Sequence, residues 1–262
     1  MTYSLLEQKV RITGQLTFET AFHIGSGKEG ELATDMGVMK DHLDRPVLPG
    51  STLKGCFRAT AERLAEYLGA SACLLDTELS EVNCVTDQKY FSRKKTEFQE
   101  LEDERAKLNW IDEHVCRVCR LFGSPVQSSR IFFSDGILQP GNNSFLVRDG
   151  VSLDRDSGTA RHGIKYDFEV AAADAVFDIV IDLENPDDTD LALVAAVLAE
   201  WENGFRIGGF TSRGLGRVRL HDTQVMKVDL RDADQRTAYL LKREMTPADD
   251  LLTDAIGLAL NA

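Results

Sequence analysis

Cysteine and histidine are spaced in this sequence in the way metal ligands often are. Residues 114–119 read HVCRVC, and the Cys116 and Cys119 sulfurs of such a pair suit two corners of a tetrahedral Zn²⁺ site. Cys84 is the natural third ligand, and His114 or Cys73 is the fourth. Four protein ligands would close the site, so this zinc would be structural. A redox pair and a set of free cysteines remain the alternatives.

A second candidate is the segment LPGSTLKGCFR, residues 48–58, where Pro-Gly-Ser precedes an apolar stripe at helical spacing. A helix N-terminus presents unpaired N–H groups and the positive end of the helix dipole, which favour an anion. Ser51 is the expected N-cap, and Lys54 and Arg58 lie one turn apart on one face. The three side chains are candidates for RNA phosphate binding. A capped helix with a solvated basic face explains the same residues.

The third candidate is GFRIGGFTSRGLGR, residues 204–217, which contains five glycines, three arginines and no acid. Glycine lets the backbone approach a phosphate chain closely, and the planar guanidinium group grips phosphate. Phe205 and Phe210 could stack on bases. A tight interstrand turn with buried aromatic rings is the alternative. The arginines predicted to bind RNA are Arg206, Arg213 and Arg217.

Two further stretches carry charged residues that could meet RNA. Residues 28–45 read as a polar loop, and carboxylates on such a loop can hold a divalent cation against a phosphodiester. These acids are Glu29, Glu31, Asp35, Asp41 and Asp44, and spacing alone selects none of them. Residues 146–168 read as a hairpin with a turn at Asp156-Ser157-Gly158. The basic residues of this hairpin are Arg148, Arg155, Arg161 and Lys165.

The elements that must position these residues follow from hydrophobic periodicity. Apolar residues alternate with polar ones over residues 10–18, which predicts a strand with one buried face. A helix from Ser51, strands over 130–138 and 176–183, a helix capped by Thr189 or Asp190 and a final strand follow. The pattern predicts an α+β fold of the split βαβ type, a single domain over residues 1–262. Residues 70–122 are too long for a connection and are expected to form an inserted zinc-binding segment.

Composition sets limits on function. The net charge is −13, which opposes nucleic-acid binding unless basic residues gather on one face, and acids are concentrated in 97–113 and 184–190. The sequence contains no run of eighteen apolar residues, so no membrane span is predicted. Residues 1–9 lack the pattern of a secretory signal. Five cysteines, an odd number, disfavour a disulfide framework. A cytoplasmic protein that does not enter the membrane is expected.

Taken together, four segments resemble the RAMP superfamily, in the order in which that family carries them. Residues 48–58 resemble its (I/L)-P-G-S-S-L-K-G-x-x-R segment, and 208–216 its G-G-x-x-S-R-G-x-G loop. Residues 116–123 resemble its C-x-x-C-x-L-F-G segment, and 148–169 its I-D-R-x-T-G-x-A hairpin. The similarity is to the repeated backbone subunit of type III CRISPR effector complexes, especially the Csm-type backbone protein.

The resemblance implies a modified ferredoxin-like (RNA-recognition-motif-like) domain whose partners are CRISPR RNA, target RNA and other effector subunits, including related backbone subunits. It implies that the hairpin at 146–168 acts as a thumb that displaces one nucleotide of the guide–target duplex. It also places the residue that cleaves target RNA, with Mg²⁺ or another divalent cation, at Asp35. Ala33-Thr34 and Met36-Gly37 replace the family's usual neighbours of this aspartate.

Three other functions remain open at this point. The chain could be a non-catalytic structural subunit, because the residues around Asp35 depart from the family pattern. It could be a stand-alone endoribonuclease that processes precursor CRISPR RNA, which would require an acid–base pair or triad, often with a histidine. A zinc-dependent hydrolase fits less well, since a cysteine-rich ligand set suits structural zinc.

Overall fold

The computed structural model describes residues 5–31, 34–73, 83–141 and 144–261, with the backbone only for 26–31, 34, 35 and 160–164. In these parts of the chain the strands are β1 (Gln8–Phe18), β2 (Gly25–Glu31), β3 (Thr34–Val38), β4 (Ile131–Phe133), β5 (Ile137–Leu138), β6 (Phe145–Leu153), β7 (Ala160–Ala171), β8 (Val176–Glu184), β9 (Phe205–Arg206), β10 (Arg217–Asp229) and β11 (Thr246–Pro247). The helices are α1 (Gly50–Leu64), α2 (Gln88–Glu100), α3 (Glu104–His114), α4 (Arg117–Phe122), α5 (Asp188–Asn203), α6 (Ala233–Lys242) and α7 (Leu251–Leu260). Short 3₁₀ turns cover Ala65–Leu68 and Thr211–Arg213. None of these helices combines the length and the apolar character that crossing a membrane requires.

The main sheet is built around β1. Its strand order is β11-β10-β1-β8-β4, with β5 also paired to β8 and β9 to β10. β1 runs antiparallel to both neighbours, with Leu16 opposite Phe177 on one side and Leu220 on the other. Its pairing with β10 shifts register between Thr13 and Gln15. A bulge of this kind adds local twist to the strand.

The connections between these strands form two interlocked split βαβ units. In the first, β1 leads through α1 to β4, and β8 lies between the two strands. In the second, β8 leads through α5 to β10, and β1 lies between them. This connectivity is that of a ferredoxin-like sheet. The α+β class expected from the sequence is therefore confirmed.

The core lies between this sheet and helices α1 and α5. Apolar residues of β1 and β8 alternate along the strands and are nearly inaccessible to solvent, as are Leu53, Phe57 and Ala61 of α1. Phe57 packs edge-on against Trp201 of α5, with ring centroids 5.0 Å apart. Truncating a buried aromatic side chain of this kind costs about 3–5 kcal/mol, so this contact is a main support of the fold.

Helix α5 begins earlier than the sequence suggested. Its N-cap is Asp187, not Thr189 or Asp190, and Asp187 and Asp190 form a reciprocal capping box. Asp190 is fully buried because it also pairs with Arg130, whose Nη2 lies 2.8 Å from Oδ2. Burial raises the pKa of Asp190 to about 6. Arg130 is half-buried and lies 60 residues before Asp190, so the sequence around α5 does not reveal this pair.

A second sheet, ordered β2-β3-β7-β6, lies beside the main one. It corrects the expectation of a polar loop over residues 28–45, because β2 and β3 pair there as antiparallel strands. β3 then joins β7 in parallel fashion at Met36 and Phe168. Hydrophobic alternation is weak in β2 and β3, so their pairing depends on the strands around them.

β6 and β7 form an antiparallel hairpin whose register places Arg148 opposite Phe168 and Gly150 opposite Tyr166. At its tip the carboxylate of Asp154 accepts hydrogen bonds from the backbone N–H groups of Asp156 and Ser157. Such an Asx turn closes the hairpin through local hydrogen bonds. The result is a two-stranded arm that carries arginines along β6 and its tip.

Helices α2, α3 and α4 lie between α1 and β4, where the sequence predicted an insertion over residues 70–122. Asp87 and Asp103 cap α2 and α3 through their side chains. The two helices meet where Trp110 packs against Phe98, with ring centroids 4.8 Å apart. Other apolar residues of the segment, among them Ile111 and Leu121, are buried in the main core of the protein.

Candidate metal centre and nucleic-acid interface

Four buried cysteines meet where the inserted segment joins the core. The sulfur atoms of Cys73, Cys84, Cys116 and Cys119 all lie within 4.8 Å of one another. A tetrahedral site with Zn–S bonds of about 2.3 Å holds its sulfurs about 3.8 Å apart. The spacing therefore fits a single tetrahedral ion with small adjustments of the side chains. The fifth cysteine, Cys56, lies apart and contacts the carbonyl of Arg206 at 3.7 Å.

Backbone and helix geometry present these sulfurs to one point. Cys116 is the N-cap of α4, and its sulfur accepts a hydrogen bond from the backbone N–H of Cys119 at 3.5 Å. The Cys84 sulfur accepts from the N–H of Cys116, also at 3.5 Å. N–H groups directed at sulfur favour thiolate over thiol. The donor set thus has the chemistry that a thiolate-bound metal requires.

The thiols also hydrogen-bond to one another, which spreads their pKa values. The hydrogen bond with Cys116 lowers the pKa of Cys119 to about 7 and also lowers the pKa of Cys84. The hydrogen bond with Cys119 raises the pKa of Cys116. Since a metal displaces the remaining thiol protons on binding, occupation of the site would be pH-dependent.

His114, one of the two candidates for the fourth ligand, is not in this group. Its Nδ1 lies 2.8 Å from the hydroxyl of Tyr90, and its Nε2 lies 3.6 Å from a carboxylate oxygen of Glu97. Trp110 packs against its ring with centroids 4.4 Å apart. At the end of α3 the imidazole therefore turns towards α2. Cys73, the alternative, occupies the fourth position.

The start of α1 differs from the expected anion site. Pro49, rather than Ser51, is the N-cap, and no side chain of α1 caps the helix. The N–H of Gly50 instead donates to Oδ1 of Asp135 at 2.7 Å. Ser51 remains exposed. A carboxylate of the same chain thus occupies part of the place that sequence reasoning gave to a phosphate.

The two cations of α1 are engaged inside the protein. Lys54 donates to the hydroxyl of Ser129 at 2.9 Å, and burial followed by the nearby charge of Arg58 lowers its pKa. Arg58 donates to Glu62 at 2.8 Å and to the Cys119 sulfur at 3.1 Å. The sequence predicted that both cations bind a phosphate or form a solvated basic face, whereas the structure pairs Lys54 with Ser129 and Arg58 with Glu62 and Cys119.

The glycine-rich loop is held by close backbone contacts. A Cβ atom on Gly208, with φ of +90°, would lie 2.4 Å from the carbonyl oxygen of His23. One on Gly216, with φ of +69°, would lie 2.1 Å from the carbonyl oxygen of Ile207. These glycines therefore serve loop packing. Phe205 is not a free stacking surface, since it lies flat on Trp201 at 4.2 Å.

The loop and the hairpin together enclose an open cleft of about 750 Å³. Arg148 and Arg155 of the hairpin and Arg213 of the loop contribute exposed cationic side chains to its lining. Tyr166 lies across Gly150, which has no side chain to displace its ring, and its hydroxyl accepts a hydrogen bond from Arg213. Cations beside an aromatic face are the usual means of holding single-stranded nucleic acid.

Arg206 and Arg217 lie outside the lining of this cleft. They pair across β9 and β10, both exposed, and Arg217 donates to Glu19 at 2.6 Å. An arginine with a carboxylate partner at the surface has less charge to offer a phosphate. The loop's three arginines are therefore not equivalent, and Arg213 is the one directed at the hairpin.

Comparison with known proteins decides the family. A sequence profile of the RAMP superfamily matches residues 15–219, which is most of the chain. The chain belongs to the RAMP superfamily. It is similar to the "CRISPR system Cms endoribonuclease Csm3" of Methanocaldococcus jannaschii, with 26% identity over 235 residues, 84% of this chain and 82% of that protein. The protein of the same name from Enterococcus italicus is 24% identical over 236 residues, 80% of this chain and 89% of the relative.

Two predicted site residues of this RAMP protein have side chains outside the described part of the structure. The backbone of Asp35 lies in β3, next to Met36, which pairs with Phe168 of β7. The strand that carries Asp35 therefore runs beside the strand that lines the cleft. The backbone of Arg161 lies in β7, near the tip of the hairpin. Their roles stay predictions.

Sequence reasoning missed the aromatic side of this RAMP cleft. Tyr166 and Phe168 were not singled out, although they alternate along β7. A cross-strand pair of glycine and tyrosine, Gly150 and Tyr166, was the available signal, because a ring often covers the gap left by a strand glycine. The pairing of Gly150 with Tyr166 depends on the register of the hairpin strands, and the turn residues alone do not determine that register.

Proposed function

We propose that this RAMP-superfamily protein is a backbone subunit of a type III CRISPR effector complex that binds CRISPR RNA and cleaves complementary target RNA. In this proposal its partners are the CRISPR RNA, the target RNA and other effector subunits, including related backbone subunits, in the cytoplasm. The observation that carries RNA binding is the cleft, whose lining includes three exposed arginines and Tyr166. Two relatives named as CRISPR endoribonucleases support the assignment.

In this proposal the hairpin of β6 and β7 is the thumb that separates one nucleotide from the guide–target duplex. Exposed apolar side chains on the hairpin, Val147, Val151 and Leu153, support such a wedge, because unstacked bases have apolar faces to cover. Arg148 and Arg155 would hold the neighbouring phosphates. Arg213 and Tyr166 would hold the nucleotide next to the hairpin.

Cleavage is proposed at Asp35. A divalent cation such as Mg²⁺, when bound, would stabilise charge that develops on the phosphodiester. Among the side chains that the structure describes, which do not include that of Asp35, no three carboxylates lie close enough together to hold such a cation. The proposal for Asp35 therefore rests on the family resemblance and on the position of β3 beside the cleft strand β7.

The four-cysteine site is proposed to bind structural zinc. It joins Cys73, before the insertion's helices, to Cys84 and to α4, so a bound ion would tie both ends of the inserted segment together. In such small modules the free energy of metal binding contributes directly to folding. All four ligands are protein groups, which leaves no open position for hydrolysis.

The test is cleavage of guide-complementary RNA by the reconstituted complex with Mg²⁺, comparing wild type with Asp35→Asn and Asp44→Asn. Asp44 is the matched control, since its side chain is 78% exposed and asparagine tolerates its φ of 57°. We expect regularly spaced cuts to disappear only in Asp35→Asn, with RNA binding retained. Unchanged cuts in Asp35→Asn would make this chain a structural subunit or assign the chemistry to another acid of residues 28–45. Cleavage of a repeat hairpin by the isolated protein would instead indicate a processing enzyme.

A further inference from the structure

The guanidinium group of Arg58 lies against the four-cysteine cluster although α1 carries it. Its Nη2 donates to the Cys119 sulfur at 3.1 Å, and its Nε donates to Glu62 Oε1 at 2.8 Å. Glu62 follows one turn later in α1 and fixes the direction of the guanidinium plane. The arginine is only 27% exposed, so its guanidinium group interacts mainly with other protein groups and not with solvent.

The cluster needs such a cation. Four thiolates around one divalent ion leave a formal charge of about −2 in a site whose cysteines are all buried. A buried charge of this kind is costly unless donors or cations compensate it. Among the described residues, Arg58 is the one charged side chain that hydrogen-bonds to any of the four sulfurs.

A neutral donor completes the arrangement around the same sulfur. The hydroxyl of Thr86 lies 3.1 Å from the Cys119 sulfur and 3.5 Å from that of Cys84. Cys119 is thus approached by a charged donor from α1 and a hydroxyl from the start of the inserted helices. Groups that hydrogen-bond to a metal ligand commonly set its orientation and the affinity of the metal.

We propose that Arg58 is a positioning residue of the metal centre, which orients Cys119 and compensates the charge of the metal-bound thiolates. This inference rests on the proposed metal site. It also gives Arg58 a role other than the phosphate binding that its place in residues 48–58 suggested. Through this contact, metal binding is coupled to the orientation of α1.

The experiment measures zinc release from the full-length chain to a chromophoric chelator, for wild type, Arg58→Met, Arg58→Lys and Arg63→Met. Arg63 is the matched control, because it is an exposed arginine of the same helix and forms no hydrogen bond with the cluster. We expect Arg58→Met to lower zinc affinity about 10–100-fold, in line with the loss of a partner of a metal ligand. Arg58→Lys should restore part of it, and Arg63→Met should match wild type.

A spectroscopic readout separates this role from general destabilisation. With Co²⁺ in place of zinc, the sulfur-to-metal charge-transfer band reports on the thiolates themselves. We expect a shift to longer wavelength in Arg58→Met, since loss of the hydrogen bond raises the energy of the sulfur lone pairs. Thr86→Val removes the neutral donor without changing charge and should give a smaller shift of the band in the same direction. If Arg58→Met does not fold, this variant still tests whether hydrogen bonds to the Cys119 sulfur set the energy of the band.

Three results would overturn the inference. In the first, Arg58→Met and Arg63→Met release zinc at the wild-type rate. In the second, Arg58→Met keeps its zinc but loses affinity for the CRISPR RNA, which would return Arg58 to phosphate binding. In the third, the wild-type chain binds neither Zn²⁺ nor Co²⁺ although the complex still binds and cuts RNA, which would remove the metal site alone and leave the proposed function standing.

Discussion

Phe210 of the glycine-rich loop stacks on Phe168 of β7, with ring centroids 4.3 Å apart and an interplanar angle of 27°. Phe210 has a left-handed backbone, with φ of 57°, which is strained for a phenylalanine and must be supported by this packing. The contact joins the loop to the base of the hairpin. The two segments that sequence reasoning treated separately therefore form one surface.

Replacement of Tyr166 should weaken RNA binding at this surface. Loss of one base-stacking ring costs about 1–3 kcal/mol, so Tyr166→Leu should raise the dissociation constant of the assembled complex for RNA roughly 5–150-fold. Tyr67→Leu is the control, since Tyr67 is 77% exposed and lies outside the cleft. Binding by fluorescence anisotropy measures the effect. Equal affinities for the two variants would show that the cleft does not hold a base.

Removal of individual cysteines should identify the fourth metal ligand. Cys73→Ser should lose bound zinc and lower the melting temperature, because one of four sulfurs is missing. His114→Gln should keep its zinc, since the imidazole faces Tyr90. Cys56→Ser is the control for loss of a thiol outside the cluster. Metal analysis of the purified variants decides between them, and zinc loss in His114→Gln would contradict the geometry.

The glycine-rich loop should tolerate no side chain at Gly216. Gly216→Ala combines an unfavourable φ with a contact of 2.1 Å to the carbonyl oxygen of Ile207, and should lower the free energy of unfolding by about 1–3 kcal/mol. Gly55→Ala is the matched substitution, because it lies in α1 with no atom near its added Cβ. It should stabilise the protein by about 0.5–1 kcal/mol. Urea unfolding measures both, and effects of the same sign would contradict this account.

Asp190 should impose a pH dependence on stability. Its pKa is about 6 when folded and 3.8 in the reference state, because burial disfavours the carboxylate despite Arg130. Between these values the folded state binds a proton that the unfolded state has lost. Stability is therefore lost as pH rises from about 4 to 6, by roughly 3 kcal/mol.

The Asp190→Asn variant isolates this effect. The variant also loses the interactions of the carboxylate with Arg130, Arg117 and Asp187. This loss changes the free energy of unfolding by an amount that does not vary with pH. The difference in unfolding free energy between variant and wild type should shift in favour of the variant as pH rises from 4 to 6, and level off above 7. A constant difference across this range would show that Asp190 is ionised throughout.

The sequence predicted those parts of the fold whose signals are local. The alternation in β1 and the apolar stripes of α1 and α5 are properties of neighbouring residues, and the structure buries these residues as expected. The pairing of the buried Asp190 with Arg130 joins α5 to a residue far away in sequence. The cap of α1 required Asp135, which approaches from the end of β4. Such partners meet only through the tertiary fold.

The site was predicted by residue type better than by contact. The Cys-x-x-Cys pair and Cys84 were correctly grouped, whereas the choice between His114 and Cys73 depended on which way α3 turns its last residue. Arg58 was recognised as important from its motif, yet its contact with Cys119 lies across two helices. α6, β11 and α7 after residue 229 were not predicted, since nothing in the functional motifs extends to them.

The place of β1 between β8 and β10 has a consequence for synthesis on the ribosome. Lys9 pairs with Glu184 and Gln8 with Asp229, so β1 is made long before either neighbour exists. At about 5–20 residues per second, its apolar face remains unpaired for roughly 8–33 s before β8 is complete. During that interval a strand with two open edges and the side chains of Val10, Ile12 and Phe18 is available to chaperones or to other nascent chains. Crowded translation of this message should therefore favour aggregation before the fold closes.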